Sequence, residues 1–151
     1  MDIFPFQRLS VFICHATGGV CGDWDPFKGS NRVILHREQN NNLFDGPPTV
    51  RVYRRTRLAI DKVVENEAQN IATLHNSEVA PVPAIDKLGG VPDWIHPTTP
   101  PLTGPGNPMD LAVQITTEIV KFDITDKGRA FVFLDLESTG APRGYMLWQG
   151  Q

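Results

Sequence analysis

The sequence predicts a mainly β or β-rich α+β fold, with antiparallel sheets, one covering helix and two long loops rich in proline and glycine. Six short segments are rich in β-branched and aromatic residues and are bounded by Gly, Asn or Pro. A single segment has apolar residues at helical spacing. The chain has 151 residues, 40% of them hydrophobic and 21% charged, so we expect one globular domain that spans residues 1–151.

The predicted strands cover residues 10–16, 32–37, 49–60, 110–124, 129–137 and 144–150. Between residues 124 and 129 lie the turn formers Asp126, Lys127 and Gly128, which predict a β-hairpin. The second strand of this hairpin contains a continuous apolar run at residues 131–134. Such a run is typical of a strand that is covered on both faces, so we expect this strand to be central.

The helix is predicted over residues 60–76, where Val63 or Val64, Ala68, Ile71 and Leu74 recur at spacings of about three and four. Asparagines within it lower its intrinsic helix propensity. We therefore expect this helix to be stabilised by packing onto the sheet.

Two long irregular segments, residues 39–48 and 78–108, contain most of the 13 prolines. A long loop in a compact domain is usually functional, disordered or held by its own side chains. In the second segment Trp94 and Ile95 stand between Pro92 and Pro97, after the flexible pair Gly89-Gly90. Trp94 and Ile95 are expected to bury themselves and tie the loop to the sheet, and the alternative is a role in stacking on a ligand.

Charge and hydropathy exclude several function classes. The net charge is −3 with acids and bases mixed, which disfavours a nucleic-acid partner. The basic run at residues 51–57 is interpreted as a solvated strand face, with a nucleic-acid or phosphate site as the alternative. The N-terminal segment has no basic leader, and no window approaches the ~20 apolar residues of a membrane span, so we expect a cytoplasmic protein.

Few residues suit metal or nucleophilic chemistry. Cys14 and Cys21 are expected to be reduced, because a cytosolic domain of this size needs no disulfide. Cys14, His15, Cys21 and His36 could converge on zinc, but their spacing is not that of a common zinc site. A Cys14–histidine dyad has no nucleophile elbow around it, and neither glycine pair resembles a phosphate loop. We expect no metal and no cofactor.

The run Asp23-Trp24-Asp25-Pro26 is interpreted as a turn, because aspartates accept hydrogen bonds from nearby backbone N–H groups and proline fixes φ. The alternative is a pair of catalytic acids. The two tryptophan loops supply the candidate binding residues, which are Trp24, Asp25, Asp93, Trp94 and His96.

Three motifs carry a resemblance to a known family. KLGGVPDWI at residues 87–95 is followed by Met109 and the strand LAVQI; FIC at 12–14 is followed by CGDWDPFKGSNRVIL at 21–35; and the tail contains residues 128–133 and LWQ at 147–149. Together, in their order along the chain, these motifs resemble the C-terminal part of the domain of the YwqG-like family, which consists of bacterial proteins of unknown function. The chain is shorter at its N-terminus than most relatives, and its spacer TTPPLTGPGNP lacks the Cys-x-x-Cys that some carry, so no metal is expected there.

Two functions are expected from these observations. The first is a non-enzymatic protein-binding domain, because aromatic anchors in stiff loops suit protein recognition. The resemblance implies a bacterial immunity protein whose partner is a cognate toxin domain. The alternative is a small hydrolase or carbohydrate-binding domain that uses Trp24, Trp94 and neighbouring acids. A deep pocket with two tryptophans and convergent carboxylates would favour the alternative, and a flat exposed patch would favour the first.

Overall fold

A computed structural model of the chain describes residues 8–13, 25–28, 31–36, 86–116 and 128–150. These residues contain six strands and no helix: β1 (Arg8–Phe12), β2 (Arg32–His36), β3 (Lys87–Leu88), β4 (Asp110–Thr116), β5 (Arg129–Asp135) and β6 (Arg143–Gln149). The strands form one antiparallel sheet in the order β1-β2-β6-β5-β4-β3. The predicted β-rich antiparallel fold is confirmed. The predicted helix at 60–76 and strand at 49–60 lie outside the described residues.

The individual strands follow the prediction closely in the second half of the chain. β5 and β6 begin within one residue of the predicted positions, and β1 begins two residues earlier than predicted. β4 and β5 pair antiparallel, as predicted, but Thr116 lies opposite Arg129, whereas the predicted tight turn would place Ile124 at that position, so the predicted register is wrong. The predicted turn itself lies outside the described residues. The short strand β3 was not predicted, because two residues are too few to show a period.

Strand β5 is central, as its apolar run predicted. It lies between β6 and β4, and residues 130–135 are all buried. Its side chains alternate between the two faces of the sheet. On the first face, here called the front face, lie Met109, Leu111, Phe131, Phe133 and Leu147; on the opposite back face lie Ala112, Ala130, Val132, Leu134 and Met146.

A β-bulge in β4 decides which side chains reach the front face. Leu111 pairs with Phe133 and Val113 pairs with Val132, so Ala112 is an extra residue without its own partner in β5. Strict alternation would place Leu111 and Gln114 on opposite faces. With the bulge, both side chains lie on the front face, and Gln114 is fully buried there.

The contact between β2 and β6 is unusually close at one position. Gly144 pairs with Val33, and a Cβ atom at Gly144 would lie 2.2 Å from Val33 Cγ1 and 2.7 Å from its Cβ. Such distances are impossible between carbon atoms that are not bonded. A side chain at position 144 would therefore require Val33 or the β2 backbone to shift away from β6.

No helix among the described residues has the length and apolar character needed to cross a bilayer.

Candidate functional site

The segment that carries PDWI runs across the front face of the sheet. It leaves β3 through Gly89 and Gly90, whose φ values of 74° and 79° are open to glycine and costly for other residues. The backbone N–H of Gly89 donates to the carbonyl of Ala112 in the bulge, at 3.0 Å. The glycine pair thus turns the chain from the sheet edge onto its face.

Trp94 packs against the central strand. Its ring centroid lies 4.6 Å from that of Phe131 and 5.8 Å from that of Phe133, the latter in a stacked arrangement. Aromatic pairs at these distances are attractive beyond the area that they bury. The expectation that Trp94 ties the loop to the sheet is confirmed.

The buried amide of Gln114 holds Asp93 by two hydrogen bonds. Its Oε1 accepts from the backbone N–H of Asp93 at 2.8 Å, and its Nε2 donates to Asp93 Oδ2 at 2.8 Å. The other carboxylate oxygen, Oδ1, accepts from Lys87 Nζ at 3.1 Å in a partly buried ion pair. Asp93 is therefore bound on both sides by residues of β3 and β4.

Arg129 holds the same residue from β5. Its Nη1 donates to the carbonyl oxygen of Asp93 at 2.6 Å. Burial lowers the pKa of the Arg129 guanidinium, and the negative charge of Asp93 opposes this shift. An arginine nevertheless stays protonated near neutral pH, so the guanidinium remains a charged donor beneath the loop.

Gln149 holds the next two residues from β6. Its Oε1 accepts from the backbone N–H of Ile95 at 2.8 Å and of His96 at 3.1 Å, and its Nε2 donates to the His96 carbonyl at 3.2 Å. The His96 ring shares a hydrogen bond of 2.7 Å between Nε2 and the carbonyl of Gly150. The side-chain amides of Gln114 and Gln149 thus replace the backbone partners that a strand would supply.

A second polar cluster fastens the turn at residues 102–108 to the end of β5. Asn107 Nδ2 donates to Glu137 Oε2 at 2.7 Å, and the backbone N–H of Gly104 donates to Ser138 Oγ at 2.9 Å. The Ser138 hydroxyl in turn donates to Asp135 Oδ2. Asp135 Oδ1 also accepts from the backbone N–H of Ser138 at 2.9 Å.

These hydrogen bonds stabilise the charged form of Asp135. The Ser138 hydroxyl is the main cause of a lowered Asp135 pKa, backbone N–H groups add to it, and burial opposes it. The cluster thus joins the turn at residues 102–108 to the residues that follow β5.

The front face near β1, β2 and β6 carries exposed side chains. Phe12 is 55% exposed and Ile34 is 46% exposed. Phe27, in the turn after Asp25, is 60% exposed although its ring lies 5.3 Å from that of Tyr145. Large aromatic side chains held in place but open to solvent are typical of recognition surfaces.

Two open grooves meet at Pro26 and Phe27. The first, here called the proline groove, has a volume of about 640 Å³ and runs along residues 98–102 and the end of β6, including Trp148. The second, here called the arginine groove, has a volume of about 380 Å³ and lies between β2 and residues 142–145. Both are open, and the described residues give the proline groove one tryptophan and one carboxylate, Asp25.

The predicted site residues fall into separate places. Asp93, Trp94 and His96 lie together on the loop across the front face, and Asp25 lies at the proline groove. Asp25 Oδ1 accepts from the backbone N–H of Phe27 at 2.9 Å, which confirms the predicted turn at this residue. Trp24 lies outside the described residues.

The candidate zinc ligands Cys14, His15 and Cys21 also lie outside the described residues. The fourth, His36, is on β2, where both ring nitrogens are engaged: Nδ1 with Arg8 at 3.2 Å and Nε2 with Ser10 at 3.0 Å. Where the structure describes the chain, no three His, Cys, Asp or Glu side chains lie close enough to hold a metal ion.

Sequence reasoning missed the residues that build this region. Gln114 is fully buried and Gln149 is half-buried at strand positions where polar side chains usually face solvent, and the bulge and the loop explain this. Phe27 follows a recognisable turn, but its contact with Tyr145 crosses more than a hundred residues. A polar residue within an apolar strand was the one available signal for the glutamines.

Comparisons of the chain with models of known families, with curated proteins and with solved structures gave no match in any of the three.

Proposed function

We propose that the protein is a non-enzymatic protein-binding domain. The observation that carries the proposal is the exposed aromatic surface around Phe27 and Tyr145. Phe27 is fixed by the Asp25 turn and rests on Tyr145 of β6, so its ring loses little freedom when a partner covers it. Rigid aromatic side chains of this kind supply most of the energy at protein interfaces.

The open shape of the two grooves supports a protein-binding function over an enzymatic one. Both grooves are open to solvent, and Trp94, which the hydrolase alternative placed in a cleft, packs on Phe131 and Phe133. Enzyme pockets usually enclose most of a small ligand. An open aromatic surface fits a second protein better than it fits a small substrate.

The partner that we propose is a toxin domain, and the chain would then be an immunity protein that acts in the cytoplasm. This part rests on the resemblance of the KLGGVPDWI and DWDPFKG motifs to YwqG-like proteins. As part of the proposal, the chain is the C-terminal portion of such a domain. A toxin encoded beside the gene for this chain is the candidate to test.

The experiment measures the affinity of the purified chain for that toxin domain by calorimetry. Phe27→Ala is expected to weaken binding by about thirtyfold or more, because truncating an aromatic hot spot costs about 2 kcal/mol or more. Leu88→Ala is the matched control, since Leu88 is likewise exposed, at 46%, but lies on β3 at the far edge of the sheet. Absence of toxin binding, or equal losses in both variants, would contradict the proposal.

A carbohydrate-binding function is the second candidate, and the proline groove favours it. Phe27 and Asp25 line this groove, and an exposed aromatic ring beside a carboxylate suits a sugar. Titration with a panel of oligosaccharides tests it through Trp fluorescence. Saturable quenching that Asp25→Asn weakens would support this candidate, and a flat response to every sugar would remove it.

A further inference from the structure

The register of β2 and β6 arranges four side chains in an alternating pattern on the front face. Val33 pairs with Gly144, so Arg32 lies opposite Tyr145 and Ile34 lies opposite Arg143. All four residues line the arginine groove. Positive and apolar side chains therefore alternate both along and across the two strands.

The two arginines are exposed, and neither forms an ion pair within the part of the chain that the structure describes. Asp135 is the register partner of Arg143 on β5, but Ser138 and backbone N–H groups occupy its carboxylate. The groove thus presents guanidinium groups that can bind carboxylates in a bidentate manner.

Apolar surface lies between these charges. Ile34 and Phe27 are 46% and 60% exposed, and Tyr145 lies beneath Phe27. A ligand that satisfied only the charges would leave this surface in water. A peptide with carboxylates and apolar side chains in alternation would match both features at once.

We propose that the arginine groove binds an acidic segment of the protein partner, in extended form, with carboxylates on Arg32 and Arg143 and an apolar side chain against Ile34 and Phe27. The inference rests on the proposed protein-binding function and specifies the chemistry of its partner. Nucleic acid fits less well, because the chain has a net charge of −3 and half of the groove is apolar.

The test measures fluorescence anisotropy of a short labelled peptide of alternating Glu and Leu, with the same peptide carrying Gln for Glu as the neutral probe. We expect the acidic peptide to bind more tightly, and added salt to weaken it. Arg32→Gln and Arg143→Gln are each expected to weaken it by about tenfold, the loss of one charge-assisted hydrogen bond. Arg8→Gln, which removes an equal charge outside the groove lining, is the control.

Equal affinity for the two peptides, or equal losses in all three variants, would overturn the inference. Tighter binding of a labelled single-stranded oligonucleotide than of the acidic peptide would also overturn it. The proposed function is judged separately by the toxin titration with Phe27→Ala. If the toxin binds and neither groove arginine changes its affinity, the protein-binding function stands and the acidic-segment inference is wrong.

Discussion

Replacing Trp94 by alanine tests whether packing of the PDWI segment on the sheet stabilises the folded state. Trp94 is half-buried and contacts Phe131 and Phe133, the two aromatic residues of the central strand. A tryptophan can bury roughly 150 to 250 Å² at about 25 cal/mol per Å², and half of that burial is worth about 2 to 3 kcal/mol. The two ring pairs add about 0.5 to 1.5 kcal/mol each. We therefore expect Trp94→Ala to lower the free energy of unfolding by about 4 kcal/mol, within the range of buried Trp→Ala changes.

The assay is urea unfolding followed by circular dichroism, with thermal unfolding beside it. For a domain of this size, a loss of that magnitude lowers the melting temperature by about 10 °C. Trp94→Phe is the control, because it keeps a ring on Phe131 and should retain most of the stability. A loss below about 1 kcal/mol in Trp94→Ala, the effect of an ordinary surface substitution, would refute the reasoning.

Three further outcomes follow from the structure. Gly144→Ala places a Cβ atom 2.2 Å from Val33 Cγ1, so we expect a loss of at least about 1 to 3 kcal/mol by urea unfolding, and a stability equal to wild type would contradict the close approach. The pKa of Asp135 is lower in the folded state than its ordinary value of 3.8, so its carboxylate stabilises the folded state at pH values above 3.8. This stabilisation is lost as the pH falls through the lower pKa of the folded state. Acid titration of unfolding should therefore show a steeper loss below pH 3.8 in wild type than in Asp135→Asn, and parallel curves would contradict it. Phe27→Ala should leave the melting temperature within about 2 °C of wild type, because the side chain is 60% exposed, and a larger fall would show that the ring serves the fold.

Much of the sheet could be predicted because its signals are local. The apolar run in β5 gave its central position, since only a strand covered on both faces tolerates such a run. The antiparallel pairing of β4 with β5 followed from two adjacent strand patterns, but its register, with Thr116 opposite Arg129, did not follow from the turn residues between them. The loop contact of Trp94 followed from a large aromatic residue placed between prolines.

The features that sequence reasoning missed depend on contacts between distant segments. No residue type marks the bulge at Ala112 in the sequence, yet the bulge places Gln114 on the face of the sheet where Asp93 lies. The approach of β2 to Gly144 joins residues more than a hundred positions apart. Periodicity describes one strand at a time, so it cannot reveal either feature.

In the candidate site too, the features that depend on local sequence were predictable and those that depend on distant contacts were not. The turn at Asp25 was predictable, because an aspartate before proline has a local hydrogen-bonding partner. The aromatic surface around Phe27 was not, because Tyr145 comes to it through the order of the strands in the sheet. Asp93 and His96 were predicted as binding residues, and the structure gives each of them partners inside the protein.

Hydrogen exchange measured residue by residue tests the central claim most directly, namely that the side-chain amides of Gln114 and Gln149 hold the PDWI segment on the sheet. The backbone amides of Asp93, Ile95 and His96 should exchange slowly in wild type, because all three donate to these glutamines. In Gln149→Ala, Ile95 and His96 should lose protection while Asp93 keeps it. Rapid exchange at all three amides in wild type, or a pattern that Gln149→Ala leaves unchanged, would contradict the claim.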